Sequence, residues 1–143
     1  MTFVTTEQYM MYHKAIVFED FDIATKIMKE KSPKKQKGLG RKVANFSNEI
    51  WDTHKERVVE DGNWYKFTQG KENPEEIKKA LLNTGRRKLV EASPFDRIWG
   101  IGFGANNAGA NKDKWGQNLL GKALMRVRDR IRKESEEAHA VKE

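Results

Sequence analysis

Residues 5–18 read T-T-E-Q-Y-M-M-Y-H-K-A-I-V-F, and the fold follows from this stretch. Thr5 followed three residues later by Gln8 has the form of a capping box, with Thr5 closing the start of a helix and Gln8 reaching back. The helix then runs to about Phe18. Tyr9, Met10, Met11, Tyr12, Ala15, Ile16, Val17 and Phe18 surround most of its circumference. A helix that is apolar nearly all round is largely buried, so other helices are expected to pack around it.

Working outward, Asp20 can cap a second helix whose Ile23, Ala24, Ile27 and Met28 form one stripe. Ser32-Pro33 opens a short helical turn with Pro33 at the first helical position, and Gly38 and Gly40 are expected to break it. Ser47 can cap a helix carrying Ile50, Trp51, Val58 and Val59. Gly62 interrupts that pattern, which leaves one bent helix or two through Phe67. Asn73-Pro74 starts another helix, and Thr84-Gly85 stops it. Lys88–Ala92 and Arg97–Ile101 read as short strands, and residues 102–112 as a loop rich in Gly, Ala and Asn. The last helix starts near Gly116, with Leu119, Leu120, Ala123, Leu124, Val127 and Ile131 on one face; beyond Lys133 the chain turns polar and is expected to fray. The result is a mainly helical domain with a minor strand component.

The 143 residues leave room for one domain and little more. There is no cysteine, which excludes a disulfide framework, thiolate metal ligands and cysteine nucleophiles. No apolar run approaches membrane-spanning length and no signal-peptide pattern opens the chain, so a cytoplasmic location is expected. The formal charge of +7 favours anionic partners such as nucleic acid or phosphorylated metabolites, although a lysine-rich solvated surface gives the same balance.

Four groups of residues can carry chemistry. Glu7 and Lys14 sit seven positions apart on the first helix. They therefore share a stripe, separated by about 10 Å of rise. Lysine side chains lean toward the helix N-terminus, so Lys14 leans toward Glu7 and a sugar ring fits between them. The competing explanation is an exposed first turn plus a snorkelling lysine. In S-P-F-D-R-I-W-G-I-G-F-G, Asp96 and Trp99 precede Gly100, Gly102 and Gly104. Glycine at every second residue lets a ligand approach the backbone, and Trp99 could stack on a base; a glycine-rich turn with Trp99 in the core accounts for it equally. Asn106, Asn107, Trp115, Gln117 and Asn118 gather before the last helix, whose N-terminus suits a pyrophosphate, though such loops are also simply loops. Lys29, Lys31, Lys34, Lys35, Lys37, Arg41 and Lys42 form a basic cluster that could track a nucleic-acid backbone or could be a solvated charge run. His13, His54 and His139 lack metal-ligand spacing, and no dinucleotide fingerprint, P-loop or nucleophile elbow is present.

T-T-E-Q-Y-M-M-Y-H-K-A, G-N-W-Y-K-F-T-Q, L-L-N-T-G-R-R-K-L-V-E-A-S-P-F-D-R-I-W-G-I-G and W-G-Q-N-L-L-G-K-A-L-M-R-V-R occur in that order. Together they closely resemble the NADAR (YbiA-like) family from about Phe3 to about Ile131. The resemblance implies a single-domain orthogonal helical bundle of the YbiA-like type, mainly α with short minor strands. It also implies a hydrolase that cleaves N-glycosidic bonds. One family branch acts on phosphoribosyl-linked intermediates of riboflavin biosynthesis, another on ADP-ribosylated guanine in nucleic acid. The family's T-x-E-x-Y glutamate matches Glu7 and its following lysine Lys14. Its D-x-x-W-G-x-G motif matches Asp96, Trp99, Gly100 and Gly102, and its N-x-L-G motif Asn118, Leu120 and Gly121. Family members carry an upstream segment with Ser-Asn and an aromatic residue; this chain begins a few residues before Glu7. The expectation is a NADAR domain over 1–134 lacking that segment, then a polar tail over 135–143.

By that resemblance Glu7 stabilises the cationic sugar or activates water, and Lys14 attacks the anomeric carbon to open the sugar as a Schiff base. Asp96 holds a sugar hydroxyl or orients Lys14, Trp99 walls the base, and Asn118 with the amides near Gly116 takes phosphate. No metal or organic cofactor is required. The alternatives are a non-catalytic module that binds ADP-ribose or nucleotides, and a nucleic-acid-binding module using the basic cluster.

Overall fold

The computed structural model describes residues 2–70 and 74–142. The chain is mainly helical and divides into two compact units, Met1–Gln69 and Gly70–Glu143.

The first unit contains α1 (Thr6–Val17), α2 (Phe21–Lys29), α3 (Pro33–Gly40) and α4 (Asn48–Gln69). As the composition of α1 suggests, it is the hub, packing against all three of the others. Its fully buried seam is narrower than expected: Gln8, Met11 and Ala15. Met11 and Ala15 join Ala24, Ile27 and Val43 in an apolar core.

Two buried glutamines tie this unit together. Thr5 Oγ1 accepts from the Gln8 amide at 2.9 Å, so the expected cap forms. The reciprocal arm closes one residue earlier than in a standard box: Gln8 Oε1 accepts from Val4 N at 2.7 Å. Gln8 Nε2 donates to Ile27 O and Glu30 O, the last carbonyls around α2. Gln36 Nε2 also donates to Glu30 O, at 2.7 Å, while its Oε1 accepts from Thr5 Oγ1. Each glutamine is at most 1% exposed. Leaving any of these buried groups unpaired costs about 1–3 kcal/mol, so the starts of α1 and α3 are locked to the end of α2.

Asp20 and Ser32 cap α2 and α3 as expected. Gly38, expected as a break, lies inside α3, and Gly40 ends it. A Cβ on Gly40 would overlap Met11 Sδ, so this glycine is there for close helix approach. Helix α4 is also one continuous element through Gly62. There a Cβ would stand 2.9 Å from Tyr9 Cδ1, again a packing contact with α1.

The second unit contains α5 (Pro74–Asn83), α6 (Ala105–Ala108), a 3-10 segment (Gly109–Lys114) and α7 (Leu119–Lys142). Asn73, expected at the start of α5, lies outside the described residues. Gly85 terminates α5 with φ +65°, a left-handed turn that glycine adopts without strain. Arg128, 4% exposed, donates from Nη1 to Thr84 Oγ1 and Arg87 O, both at 2.8 Å, fastening this turn to α7.

Three expectations fail in this unit. Among the described residues there is no strand: Lys88–Ala92 and Arg97–Ile101 are irregular. Their backbone groups are satisfied elsewhere. The carbonyls of Arg97, Ile98, Trp99, Gly100 and Ile101 accept from the amides of Gln117, Leu119, Leu120, Asn118 and Gly116 at 2.7–3.1 Å. The expected loop over residues 102–112 is largely helical. Helix α7 continues through Lys142 instead of fraying after Lys133, because Glu134, Glu136, Glu137 and Ala138 are helix formers with no breaker among them. Its apolar face is as expected, with Leu119, Ala123, Val127 and Ile131 buried.

Candidate active site

In the first unit, the Thr5 cap sets the phase of α1 and places Glu7 in the first turn and Lys14 in the last. Both side chains are partly buried. Burial pushes the Glu7 carboxyl above its ordinary range, against the pull of the nearby Lys37, Arg41 and Lys14 cations. Burial likewise pushes the Lys14 ammonium down, and Arg41 adds to that effect while Glu7 opposes it. The two groups thus sense each other, yet no ion pair joins them among the described residues.

Phe46 covers the amine. Lys14 Nζ stands 4.4 Å from the Phe46 ring centroid, and that ring packs edge-on against Phe18 at 5.2 Å. The connection after α3 is held in place by Asp20, which caps α2 with Oδ1 and accepts from Ala44 N with Oδ2 at 2.9 Å. One residue after Ala44, Asn45 takes φ +61°, turning the chain so that Phe46 comes back over α1. An amine with depressed basicity is a nucleophile, and a carboxyl with raised pKa is a proton donor that remains effective nearer neutrality.

In the second unit, the structure brings Asp96, Trp99, Gly100, Gly102, Asn118 and Gly121 into one loop assembly. Asp96 Oδ1 accepts from Ile98 N and Trp99 N, both at 2.9 Å, and so orders the turn that presents the half-buried Trp99. Asn118, 3% exposed, receives Glu91 N on Oδ1 at 3.0 Å and donates from Nδ2 to Leu89 O at 2.9 Å. A Cβ on Gly100 would lie 2.7 Å from Glu91 O, and one on Gly121 would overlap Leu89 O and the Asn118 amide. Gly102 has φ +80°.

These contacts change the expected phosphate site. The amides around Gly116 and the start of α7 already bind the carbonyls of residues 97–101. The Asn118 amide is committed to residues 89 and 91. Asn118, Gly100 and Gly121 therefore build the Trp99 loop from within.

The basic run of the sequence holds part of what was not singled out. Lys37 and Arg41 are the two cations of that run that act on Glu7. Phe46 and Gln36 carry no signal in the sequence, and Gln8 and Asp20 are readable there only as helix-capping residues. A shallow groove lined by Glu30, Lys35, Gly38, Leu39 and Lys42 contains none of the expected site residues. No group of three or more histidine and carboxylate side chains converges among the described residues. None of the described helices is long and apolar enough to cross a membrane.

The family model for the NADAR domain matches residues 1–132. The chain belongs to the NADAR family. An N-glycosidase of Acanthamoeba polyphaga mimivirus is 50% identical to this NADAR chain over 129 residues, spanning 89% of it and 74% of the relative. N-glycosidase YbiA of Escherichia coli is 31% identical over 130 residues, spanning 91% and 71%. Riboflavin biosynthesis protein PYRR, chloroplastic, of Zea mays is 30% identical over 137 residues, spanning 91% of the NADAR chain but 20% of the maize protein.

Proposed function

We propose that this NADAR chain is an N-glycosidase that hydrolyses the ribosyl–nitrogen bond of a phosphorylated substrate. The observation that carries the proposal is the Glu7–Lys14 pair: an acid with raised pKa and an amine with lowered pKa on one stripe of a rigidly capped helix. The names of the mimiviral and bacterial relatives support the bond type.

Lys14, as the neutral amine, attacks the anomeric carbon. The carbon–nitrogen bond breaks, and its electron pair leaves with the base, which takes a proton from Glu7. The ribosyl-lysine opens to a Schiff base. Glu7, now a carboxylate, activates water, which adds to the imine carbon and releases the sugar from Lys14. Asp96 and the loop it orders are assigned substrate binding, with Trp99 against the base. Two substrate classes fit this chemistry. ADP-ribosylated guanine in nucleic acid suits the net charge of +7. Phosphoribosyl-linked riboflavin intermediates suit the name of the maize relative.

Lys14→Ala is expected to abolish base release from either substrate while leaving the helical circular-dichroism spectrum intact. Borohydride added during turnover should attach the sugar mass to Lys14. Undiminished turnover by the alanine variant would overturn the assignment. Tight binding of ADP-ribosylated guanosine by the wild type with no base released would favour a non-catalytic module instead.

A further inference from the structure

We propose that Lys37 and Arg41 form the subsite that takes the 5′-phosphate or pyrophosphate of the sugar substrate, beside Glu7 and Lys14. The proposal rests on the glycosidase assignment above and adds the anion-binding residues to it.

The placement comes from how α3 meets α1. Gln36, buried, is hydrogen-bonded to Thr5 at the start of α1. One turn later, Gly40 is seated against Met11, which lies between Glu7 and Lys14 on α1. Lys37 and Arg41 each directly follow one of these contact residues. They are therefore one helical turn apart on a single flank of α3, at the edge of the Glu7–Lys14 stripe. Both are exposed. Both act electrostatically on Glu7, and Arg41 also acts on Lys14.

These two cations lack what surface cations beside a carboxylate usually have. Neither makes an ion pair with Glu7 or with any other carboxylate among the described residues. Arg41 uses its position to oppose protonation of a lysine that is already partly desolvated. An arrangement of two cations and an amine around one acid is short of negative charge, and a phosphate ester supplies it. A guanidinium binds phosphate through two parallel hydrogen bonds, and a lysine one turn away adds a point charge. The other candidate anion site, the start of α7, is filled by the protein's own carbonyls. Of the other lysines in the run, Lys35 and Lys42 line a groove with Glu30 and Leu39 that does not include Glu7 or Lys14.

The test compares wild type, Arg41→Ala, Arg41→Lys and Lys37→Ala on three probes: a ribosylated amine carrying a 5′-phosphate, its dephosphorylated counterpart, and ADP-ribosylated guanosine. Arg41→Ala should raise KM for the two phosphorylated probes by about 10- to 100-fold, the worth of charge-assisted hydrogen bonds. For the dephosphorylated probe the loss should fall on kcat, because Arg41 no longer depresses the Lys14 pKa, with KM within about threefold of wild type. Arg41→Lys should recover part of the KM loss on the phosphorylated probes. An effect confined to ADP-ribosylated guanosine would identify the pyrophosphate as the group held; an effect on both would identify the sugar-proximal phosphate. Equal KM changes on phosphorylated and dephosphorylated probes, or none on any, would overturn the subsite. Calorimetric titration with ADP-ribose separates this outcome from failure of the glycosidase assignment. If the wild type releases no base, weaker ADP-ribose binding by Arg41→Ala still upholds the subsite, and unchanged binding refutes it.

Discussion

The Lys14 amine lies 4.4 Å from the centre of the Phe46 ring, contributed by the connection that follows α3. A cation over an aromatic face gains about 0.5–1 kcal/mol at a partly exposed site. The larger effect on Lys14 is desolvation, which lowers its pKa. The amine is thus easier to deprotonate than a surface lysine, as nucleophilic attack requires.

The pH dependence of Lys14 reactivity follows from that shift. Turnover needs a neutral Lys14 together with a protonated Glu7, so a kcat/KM profile mixes two titrations, and the amine is followed directly by its rate of reductive methylation. That rate should rise with pH as Lys14 loses its proton, with the limb centred below the ordinary lysine value of 10.5. Arg41 depresses the Lys14 pKa and Glu7 raises it, so the two substitutions act in opposite directions. Arg41→Ala should move the limb to higher pH, and Glu7→Gln to lower pH. A pH profile of labelling at Lys14, read by mass spectrometry, checks both signs; shifts in the same direction would contradict the arrangement.

Glu7 should also cost stability. Its pKa in the folded chain is raised above 4.5. A carboxyl raised in this way favours folding below its unfolded pKa, and that contribution is lost as pH rises through the folded value. Above that folded value the ionised, partly desolvated carboxylate is therefore a burden. Glu7→Gln should raise the thermal midpoint at pH 7 by about 1–3 °C and give no gain near pH 3. Differential scanning fluorimetry at the two pH values decides it, and destabilisation at pH 7 would count against the assigned environment.

The buried glutamines make a different prediction. Gln8→Met keeps the volume but removes the partner of Ile27 O and Glu30 O and the acceptor of Val4 N. The loss should be about 2–4 kcal/mol in denaturant unfolding. Gln8→Glu should lose a comparable amount, because a carboxylate cannot donate to those carbonyls. Tolerance of either change would mean that the amide network does not lock α1 to α2.

What could be read from the sequence separates along physical lines. Thr5, Asp20, Ser32 and Gly85 signal helix ends because capping and left-handed turns are local. The Glu7–Lys14 stripe was legible from helical periodicity alone. Gly38, which reads as a break, lies inside α3; Gly62 leaves one bent helix or two open, because it is present for its contact with Tyr9, distant in sequence, and no local signal marks that contact. The segments around residues 90 and 99 were misread as strands because their apolar character suited a sheet. Their carbonyls and amides instead meet Asn118 and the start of α7. Lys37 and Arg41 were visible only as part of a charge run; the Gly40–Met11 contact that sets them beside Glu7 is tertiary.

Asp96 offers a test of whether a loop-ordering carboxylate is also a charged participant. Its Oδ1 accepts from two backbone amides, those of Ile98 and Trp99. Asn at this position can keep both bonds through its side-chain oxygen, whereas Ala keeps neither. If Asp96 only shapes the loop, Asp96→Asn should retain wild-type kcat and KM within about threefold, and Asp96→Ala should raise KM by about tenfold or more through a disordered Trp99 turn. If Asp96 also holds a sugar hydroxyl with its charge, Asp96→Asn should lose kcat nearly as severely as Asp96→Ala, because the amide keeps the loop but not the anion. Steady-state kinetics of the pair, with backbone amide exchange at Ile98 and Trp99 as the structural control, separates the two roles: retained protection with lost kcat assigns the carboxylate to the reaction, and lost protection with raised KM assigns it to the scaffold.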